Sequence, residues 1–194
     1  SISQSDNLQY TRGSLQGGDG SGVVFECFNP NSGTLEFWVR PNWNGNDGVA
    51  YTIFALNYSN LDVANSMYII KWSDNVLYAS FDDGAGVIRR PFRSIPSWTA
   101  GTWYHIVLVY DVNNPVSGSN KMELYINGSS TGNNYTNTTG TFTKFTSVAS
   151  VFAIGQSTNN TSQFNGVIAG RVLNRPLTST EVTALYNSGQ GNQE

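Results

Sequence analysis

The chain has 194 residues, of which 12% are charged and 13% aromatic, and its formal net charge is −3 at pH 7. This charge argues against nucleic acid as a partner, because phosphate binding needs clustered Lys and Arg. No apolar run is long enough to span a bilayer, so we expect no membrane insertion. At this length we expect one domain over residues 1–194, and the single cysteine, Cys27, excludes a disulfide within the chain.

Segments rich in β-branched and aromatic residues recur along the chain and are separated by turn residues, which predicts many short strands. In chain order they are residues 8–11, 23–28, 34–40, 51–56, 67–72, 76–81, 87–92, 103–110, 121–126, 151–155 and 163–174. A further weak strand is expected within the Ser-, Thr- and Asn-rich residues 129–147. Pro41 should end the pairing of the third of these strands, because proline lacks the N–H that a ladder needs.

Two short turns predict hairpins. Ser73-Asp74-Asn75 joins two strands directly. Asn127-Gly128 lies between alternating apolar residues, and both residue types tolerate the positive φ of a type I′ turn.

One helix is predicted, from Ser179 to Asn187. Thr178 and Glu181 form a capping-box pattern at its start, and Gly189 suits its C-terminal stop. With no alternation of strands and helices elsewhere, the pattern predicts an all-β sandwich of two antiparallel sheets with one short C-terminal helix.

The strand from Trp103 to Tyr110 is apolar on both of its alternating faces. Trp103, His105, Val107 and Val109 share one face, and the residues between them share the other. We therefore expect a central strand that is covered on both sides.

Three segments resemble signature segments of one family. Trp98–Asp111 reads W-x-x-G-T-W-Y-H-I-V-x-x-Y-D, residues 33–43 read G-T-L-E-F-W-V-R-P-N-W, and residues 121–128 read K-M-E-L-Y-I-N-G. All three closely resemble laminin-G-like, concanavalin A-like jelly rolls of the lectin and glucanase superfamily. The resemblance implies a jelly-roll topology over residues 33–186.

The resemblance departs from the family pattern near the end of the chain. Many relatives carry an acidic pair there that supports a structural calcium ion, whereas this chain has Ala169 and Gly170. We therefore transfer no metal site. Calcium prefers oxygen ligands, so Asp82 and Asp83, with Asp47, stay weak candidates for Ca²⁺ beside the alternative that they are solvated turn residues.

Two tryptophans lie in polar turns, where an indole face can stack on the C–H face of a sugar while amides and carboxylates bind its hydroxyls. The first is Trp43, near Asn44 and Asp47. The second is Trp72, near Asp74. We predict these five residues as ligand-binding. The alternative is that both tryptophans belong to the core.

Arg89-Arg90-Pro91-Phe92-Arg93 is the basic cluster of the sequence. It could bind an anionic sugar or a partner subunit. The alternative is a sheet edge that charge and proline protect against pairing.

No catalytic residue is predicted. Glycosidases of this fold resemble one another in an E-x-D-x-x-E-type strand, which is absent here, and nothing in the sequence sets Glu36 opposite Glu123. His105 is the sole histidine. We interpret it as a buried or half-buried hydrogen-bonding residue, because one isolated histidine satisfies no catalytic geometry.

The sequence thus favours a non-catalytic, lectin-like glycan-binding module of an extracellular, cell-surface or virion-surface protein. One alternative is a structural adhesion or capsid-decoration subunit that acts through a protein partner or as a homo-oligomer. A glycan hydrolase is a third reading.

Overall fold

The computed structural model describes residues 8–9, 29, 31–57, 64–132, 135–137, 140–144, 152–157 and 162–190. The strand predicted at 23–28, with Cys27, lies outside them. The strands are β1 (Leu8–Gln9), β2 (Ser32–Pro41), β3 (Tyr51–Leu56), β4 (Ser66–Lys71), β5 (Val76–Asp82), β6 (Ile88–Ser94), β7 (Tyr104–Asp111), β8 (Met122–Ile126), β9 (Ser129–Ser130), β10 (Tyr135–Asn137), β11 (Phe152–Ile154) and β12 (Gly166–Leu173). Helix α1 (Ser179–Tyr186) and a 3₁₀ turn (Asn187–Gly189) follow.

These strands form two antiparallel sheets. The first sheet has the order β1-β12-β2-β7-β8-β9, and the second has the order β10-β6-β5-β4-β3-β11. The main core lies between them and is filled from both sides, for example by Phe37 and Leu108 of the first sheet and Phe54 and Phe81 of the second. The predicted two-sheet sandwich with one C-terminal helix is confirmed.

Strand β7 is the centre of the first sheet. It lies between β2 and β8, and every residue from Tyr104 to Asp111 is buried. Its predicted coverage on both sides is confirmed within the strand. The prediction is wrong for Trp103, which precedes the strand and is 42% exposed. The guanidinium carbon of Arg40 lies over its ring, 5.5 Å from the ring centroid.

Helix α1 covers part of the outer face of the first sheet. Val182 of the helix and Leu177 before it pack on Val107 and Val109 of β7. The predicted capping box of Thr178 is present. At the other end the left-handed cap residue is Asn187, with φ 43°, and not the predicted Gly189, because asparagine also tolerates this conformation.

The hairpin turns form as predicted. Asn127 and Gly128 have φ values of 50° and 74° and connect β8 to β9, and residues 73–75 connect β4 to β5. In the part of the chain that the structure describes, no helix is long and apolar enough to cross a membrane.

The second sheet also has a packed outer face. Odd-numbered residues of β4 and β5 point into the main core, as Ile69 and Ala79 do. The even-numbered Tyr68 and Ile70 form a separate buried cluster on the other face, and Trp72 and Tyr78 pack partly buried against it. This outer face carries the candidate site.

Candidate functional site

An open cleft of about 360 Å³ lies on the outer face of the second sheet. Its size falls at the lower end of the range of small-molecule sites. The lining residues are Trp72, Ser73, Asp74, Tyr78, Arg90 and Thr136. The cleft thus combines two aromatic side chains, three hydroxyls and one charge of each sign, which is a composition that suits a sugar.

Strand register brings the cleft residues together. Trp72 and Asp74 come from the turn between β4 and β5, and Tyr78 follows two residues into β5. Arg90 of β6 pairs with Thr136 of β10. Since alternate residues of a strand share a face, these side chains line one side of the sheet.

Asp74 organises one wall of the cleft. One oxygen of its carboxylate accepts the backbone N–H of Val76 at 3.1 Å, and the other accepts the hydroxyl of Tyr78 at 2.8 Å. Burial and this bond to Asp74 raise the pKa of Tyr78 to about 12, so its hydroxyl stays protonated at neutral pH. The pair holds the Tyr78 ring in one orientation.

Arg90 supplies the cation of the cleft. Its Nε donates to the hydroxyl of Ser80 at 3.2 Å, and its guanidinium carbon lies 5.6 Å from the ring centroid of Tyr68. Stacking on an aromatic face and a side-chain hydrogen bond together restrict a guanidinium to one plane. The charge therefore has a defined position.

The basic cluster of the sequence divides between two environments. Arg90 reaches the cleft, whereas Arg89 stacks over Phe142 at 5.3 Å and donates to the carbonyl of Gly140 at 2.9 Å. The interpretation of this segment as a protected sheet edge is wrong for residues 89–91, which pair with β10 while β6 pairs with β5 on its other side.

Trp43 lies in the core and not at the surface, contrary to the expectation of an indole available for stacking. Trp43 is 5% exposed. Its ring stacks on the ring of Tyr51, with 4.5 Å between the ring centroids and 3° between the ring planes. The ring centroids of Trp98 and Phe164 lie 6.3 Å and 5.8 Å from that of Trp43. This packing favours the alternative that Trp43 is a structural residue.

The polar residues beside Trp43 bond to the protein itself. Asn44 accepts the N–H of Ala100 at 3.0 Å. Asp47 pairs with Lys71 and accepts the hydroxyl of Tyr51 at 2.8 Å. Burial raises the pKa of Asp47, but the hydrogen bonds and charge of Lys71 outweigh it and lower the pKa overall. Of the predicted ligand-binding residues, the structure brings only Trp72 and Asp74 to the cleft.

Residues 15–183 match the sequence model of the concanavalin A-like lectin/glucanases superfamily. The chain belongs to this superfamily. No curated protein sequence matches it.

Several solved structures share the superfamily fold at low sequence identity. The carbohydrate-binding module CBM40 of a Ruminococcus gnavus sialidase, bound to α2,3-sialyllactose, has a TM-score of 0.64 at 12% identity, and the match covers 93% of this chain and 96% of that one. A heptameric SAP-like pentraxin from Limulus polyphemus has a TM-score of 0.57 at 20% identity, with 84% and 73% covered.

The receptor-binding domain of botulinum neurotoxin type G gives a TM-score of 0.53 at 20% identity, over 81% of this chain. The chain spans 38% of that domain's length. At these identities the similarity concerns the fold.

The superfamily includes glucanases, which cleave sugars with a pair of carboxylates. The relative position of the buried Glu36 and Glu123 therefore bears on whether they could form such a pair. Glu36 of β2 pairs in register with Val107, and Glu123 of β8 pairs with Val109. Since β7 lies between them, two strand spacings, or about 10 Å, separate them laterally. They lie on the outer face of the first sheet, where the strand between them, β7, packs against Leu177 and Val182.

Each of these carboxylates has structural partners. Glu36 bonds to Arg171 and to Nε2 of His105 at 3.0 Å. Glu123 accepts the hydroxyls of Ser130 at 2.6 Å and Tyr135 at 2.7 Å. The interpretation of His105 as a buried hydrogen-bonding residue agrees with its bond to Glu36 and its 0% exposure.

The carboxylate of Asp83, one of the weak calcium candidates, accepts hydrogen bonds mainly from backbone N–H groups. Its two oxygens accept the N–H groups of Ala85, Val87 and Thr143 and the hydroxyl of Thr143, at 2.7 to 2.8 Å. Asp82 is also buried. Among the described residues, no group of three or more His, Cys, Asp and Glu is placed to hold a metal ion.

Proposed function

We propose that this chain is a non-catalytic glycan-binding module of an extracellular or surface protein, and that the outer cleft of the second sheet is its binding site. The observation that carries the proposal is the convergence of Trp72, Tyr78, Asp74 and Arg90 on one open cleft. Aromatic rings of this kind contact the C–H faces of sugars, and the polar groups fix the hydroxyls. The shared fold of the sialyllactose-bound module supports the proposal.

The test is glycan-array screening, followed by calorimetric titration of the glycans that bind. Trp72→Ala should abolish binding and leave the circular-dichroism spectrum unchanged, because Trp72 is only partly buried. Trp103→Ala is the matched control, since that exposed indole precedes a strand of the first sheet and should not affect binding. Silence across a broad array, or a folded Trp72→Ala variant that binds like the wild type, would refute the proposal.

A second candidate is the structural adhesion subunit, and one surface favours it. Trp103 and Val167 are each 42% exposed. Arg40 stacks over Trp103, which precedes β7, and pairs in register with Val167 of β12, so the three residues form one surface patch. Tryptophan and arginine often dominate protein interfaces. Light scattering should then show a stable oligomer that Trp103→Ala dissociates, and a monomer at all concentrations would count against this candidate.

A further inference from the structure

We infer that the outer cleft takes a neutral, hydroxyl-rich sugar, and that Asp74 selects this class by accepting hydrogen bonds from the sugar hydroxyls. This inference rests on the proposed function and names the class of its ligand. The charged group that the cleft leaves open to a ligand is an acceptor, and sugar hydroxyls are donors that match it.

The carboxylate of Asp74 is exposed and keeps part of its capacity to accept hydrogen bonds. It lies in the turn between β4 and β5 and lines the cleft. Within the part of the chain that the structure describes, its two oxygens accept one hydrogen bond each, from Val76 and Tyr78. An ionised carboxylate has about four lone-pair sites, so each oxygen has room for a further donor. A hydroxyl that donates to this charge forms a stronger bond than it would with a neutral acceptor.

The hydroxyl of Tyr78 adds a second acceptor to the cleft. It donates its single hydrogen to Asp74 at 2.8 Å. Burial and this bond raise the pKa of Tyr78 to about 12, so the hydrogen stays in place at neutral pH. The Tyr78 oxygen therefore meets a ligand through its lone pairs. Ser73 and Thr136 are exposed, and their hydroxyls either donate or accept, so Asp74 and Tyr78 decide which ligand groups fit.

The cation of the cleft, Arg90, is directed towards the protein. Its Nε donates to the hydroxyl of Ser80, its guanidinium lies over the ring of Tyr68, and its Nη2 is buried. Both edges through which a guanidinium binds an anion with two hydrogen bonds include Nη2, so the burial of this atom closes both edges. A carboxylate or sulfate on the ligand would thus face Asp74 and leave water without such a partner, and an unpaired charge is costly to desolvate.

The charge of Arg90 also disfavours a cationic ligand. Arg90 and Asp74 both line the cleft and carry opposite charges, so a sugar with a free amine meets repulsion from one of them as well as attraction from the other. A neutral hydroxyl gains the bond to Asp74 without that repulsion. The half-buried Trp72 lines the same cleft and offers an apolar surface to the C–H face of the sugar ring.

The experiment first sorts the hits of the glycan array by charge and titrates them in matched pairs. Lactose should bind at least as tightly as α2,3-sialyllactose and 3′-sulfolactose. The neutral N,N′-diacetylchitobiose should bind at least as tightly as its free-amine form. If the acidic or the cationic member of a pair binds about tenfold more tightly than its neutral counterpart, the inference is overturned. This comparison does not depend on how any variant folds.

Ligand analogues then test Asp74 directly. The neutral glycan that binds most tightly is prepared as a set of monodeoxy analogues, each of which lacks one hydroxyl, and titrated against the wild type and Asp74→Asn. One analogue should lose about tenfold or more in affinity for the wild type, as expected for a hydrogen bond to a charged group. The same analogue should lose much less with Asp74→Asn, which has already lost the charge. Equal losses with both proteins at every hydroxyl would overturn the inference.

Tyr78→Phe is the matched control for a purely structural role of Asp74. Because the two side chains bond to each other, an Asp74→Asn variant that acts only by releasing the Tyr78 ring should be reproduced by Tyr78→Phe. We expect instead that the analogue that identifies Asp74 keeps its full loss with Tyr78→Phe, which retains the carboxylate. The same reduced loss in both variants would show that Asp74 acts through Tyr78, and the inference would be wrong.

The failure of this inference is distinguishable from the failure of the proposed function. If a charged glycan binds more tightly than its neutral counterpart and Trp72→Ala abolishes that binding, the inference is overturned and the glycan-binding module stands. If no glycan of either kind binds, both fail.

Discussion

Nε2 of His105 lies 3.0 Å from Oε1 of Glu36, on the face of the first sheet that is turned away from the sandwich core. An ionised carboxylate only accepts hydrogen bonds, so Nε2 carries the hydrogen. Arg171 bonds to the other oxygen, and the ring of Trp38 stacks on the imidazole at 4.7 Å. Three neighbouring strands are thus connected by one buried acid.

This acid makes stability depend on pH. Burial raises the pKa of Glu36, but the hydrogen bonds and charges of His105 and Arg171 lower it below its ordinary 4.5. A lowered pKa means that the contribution is present above the unfolded-state pKa and is lost as the pH falls through the folded-state pKa. At about pH 7, Glu36→Gln should reduce the free energy of unfolding by about 2 kcal/mol.

The difference in unfolding free energy between Glu36→Gln and the wild type should shrink as the pH falls through the lowered folded-state pKa of Glu36, because the wild type then protonates Glu36 as well. Urea unfolding at neutral pH and at a series of acidic pH values measures this difference. Asp74→Asn is the control, since this carboxylate is exposed in the turn between β4 and β5 of the other sheet and surface substitutions usually change stability little. A difference that stays constant with pH would contradict the assignment.

Asp47 and Asp74 make similar bonds but should behave differently. Each accepts a tyrosine hydroxyl at 2.8 Å. Asp47→Asn leaves the charge of Lys71, whose side chain is 0% exposed, without its counter-charge, and should cost about 3 kcal/mol of unfolding free energy. Asp74→Asn should change stability little and weaken glycan binding. Urea unfolding curves and calorimetric titration with glycan on both variants test this prediction. A loss of stability in Asp74→Asn with a loss of glycan binding in Asp47→Asn would show that the two roles are exchanged.

Gly170 explains one departure from the family pattern. It faces the core, and a Cβ there would lie 2.3 Å from Cδ1 of Phe37 and 2.8 Å from the carbonyl oxygen of Glu36. A side chain at this position therefore requires the Phe37 ring and the backbone of Glu36 to shift. Gly170→Ala should lower the free energy of unfolding by about 1–3 kcal/mol.

The neighbouring Ala169 is exposed, so Ala169→Ser serves as the control and should change stability by no more than about 0.5 kcal/mol. Thermal and urea unfolding compare the two variants. Equal stability of Gly170→Ala and the wild type would mean that Phe37 moves freely enough to accept the methyl group.

Asp83 connects the β5–β6 turn to residues 140–144. Burial raises the pKa of its carboxyl, but hydrogen bonds from Val87, Thr143 and Ala85 lower it overall. Asp83→Ala should lower the free energy of unfolding by about 3 kcal/mol, since buried donors lose their acceptor. Amide hydrogen exchange at residues 140–144 should then accelerate. Thr143→Val removes one hydroxyl and should cost about 1 kcal/mol. Unchanged exchange in Asp83→Ala would show that other contacts hold the segment.

The local pattern of the sequence was enough to predict most strands and the helix. Apolar residues on both alternating faces of β7 predicted its central position in a sheet. Asn127-Gly128 predicted the hairpin, because both residues tolerate the positive φ that its turn needs. The helix cap shows the limit, since both Asn187 and Gly189 can adopt positive φ. The helix ends at Asn187, and residue type alone does not choose between the two.

The candidate site was predicted only in part. Trp72 and Asp74 are six and four residues from Tyr78, so a turn signal could locate them. Arg90 and Thr136 join them through pairing between strands distant in sequence, which composition does not encode. Trp43 was placed at the surface because its neighbours are polar. Its burial depends on Tyr51 and Lys71, whose contact with it arises only in the folded sheet.

Strand β1 is an edge strand of the first sheet and helix α1 packs on the outer face of that sheet, whereas the proposed glycan cleft opens on the outer side of the second. A tag or fused domain whose linker starts beside β1 or α1 therefore starts on the first-sheet side of the sandwich, opposite the proposed cleft. Immobilisation through either attachment point should leave the cleft directed away from the support. Display on a chip or particle would then present the sugar-facing side outward without an added spacer.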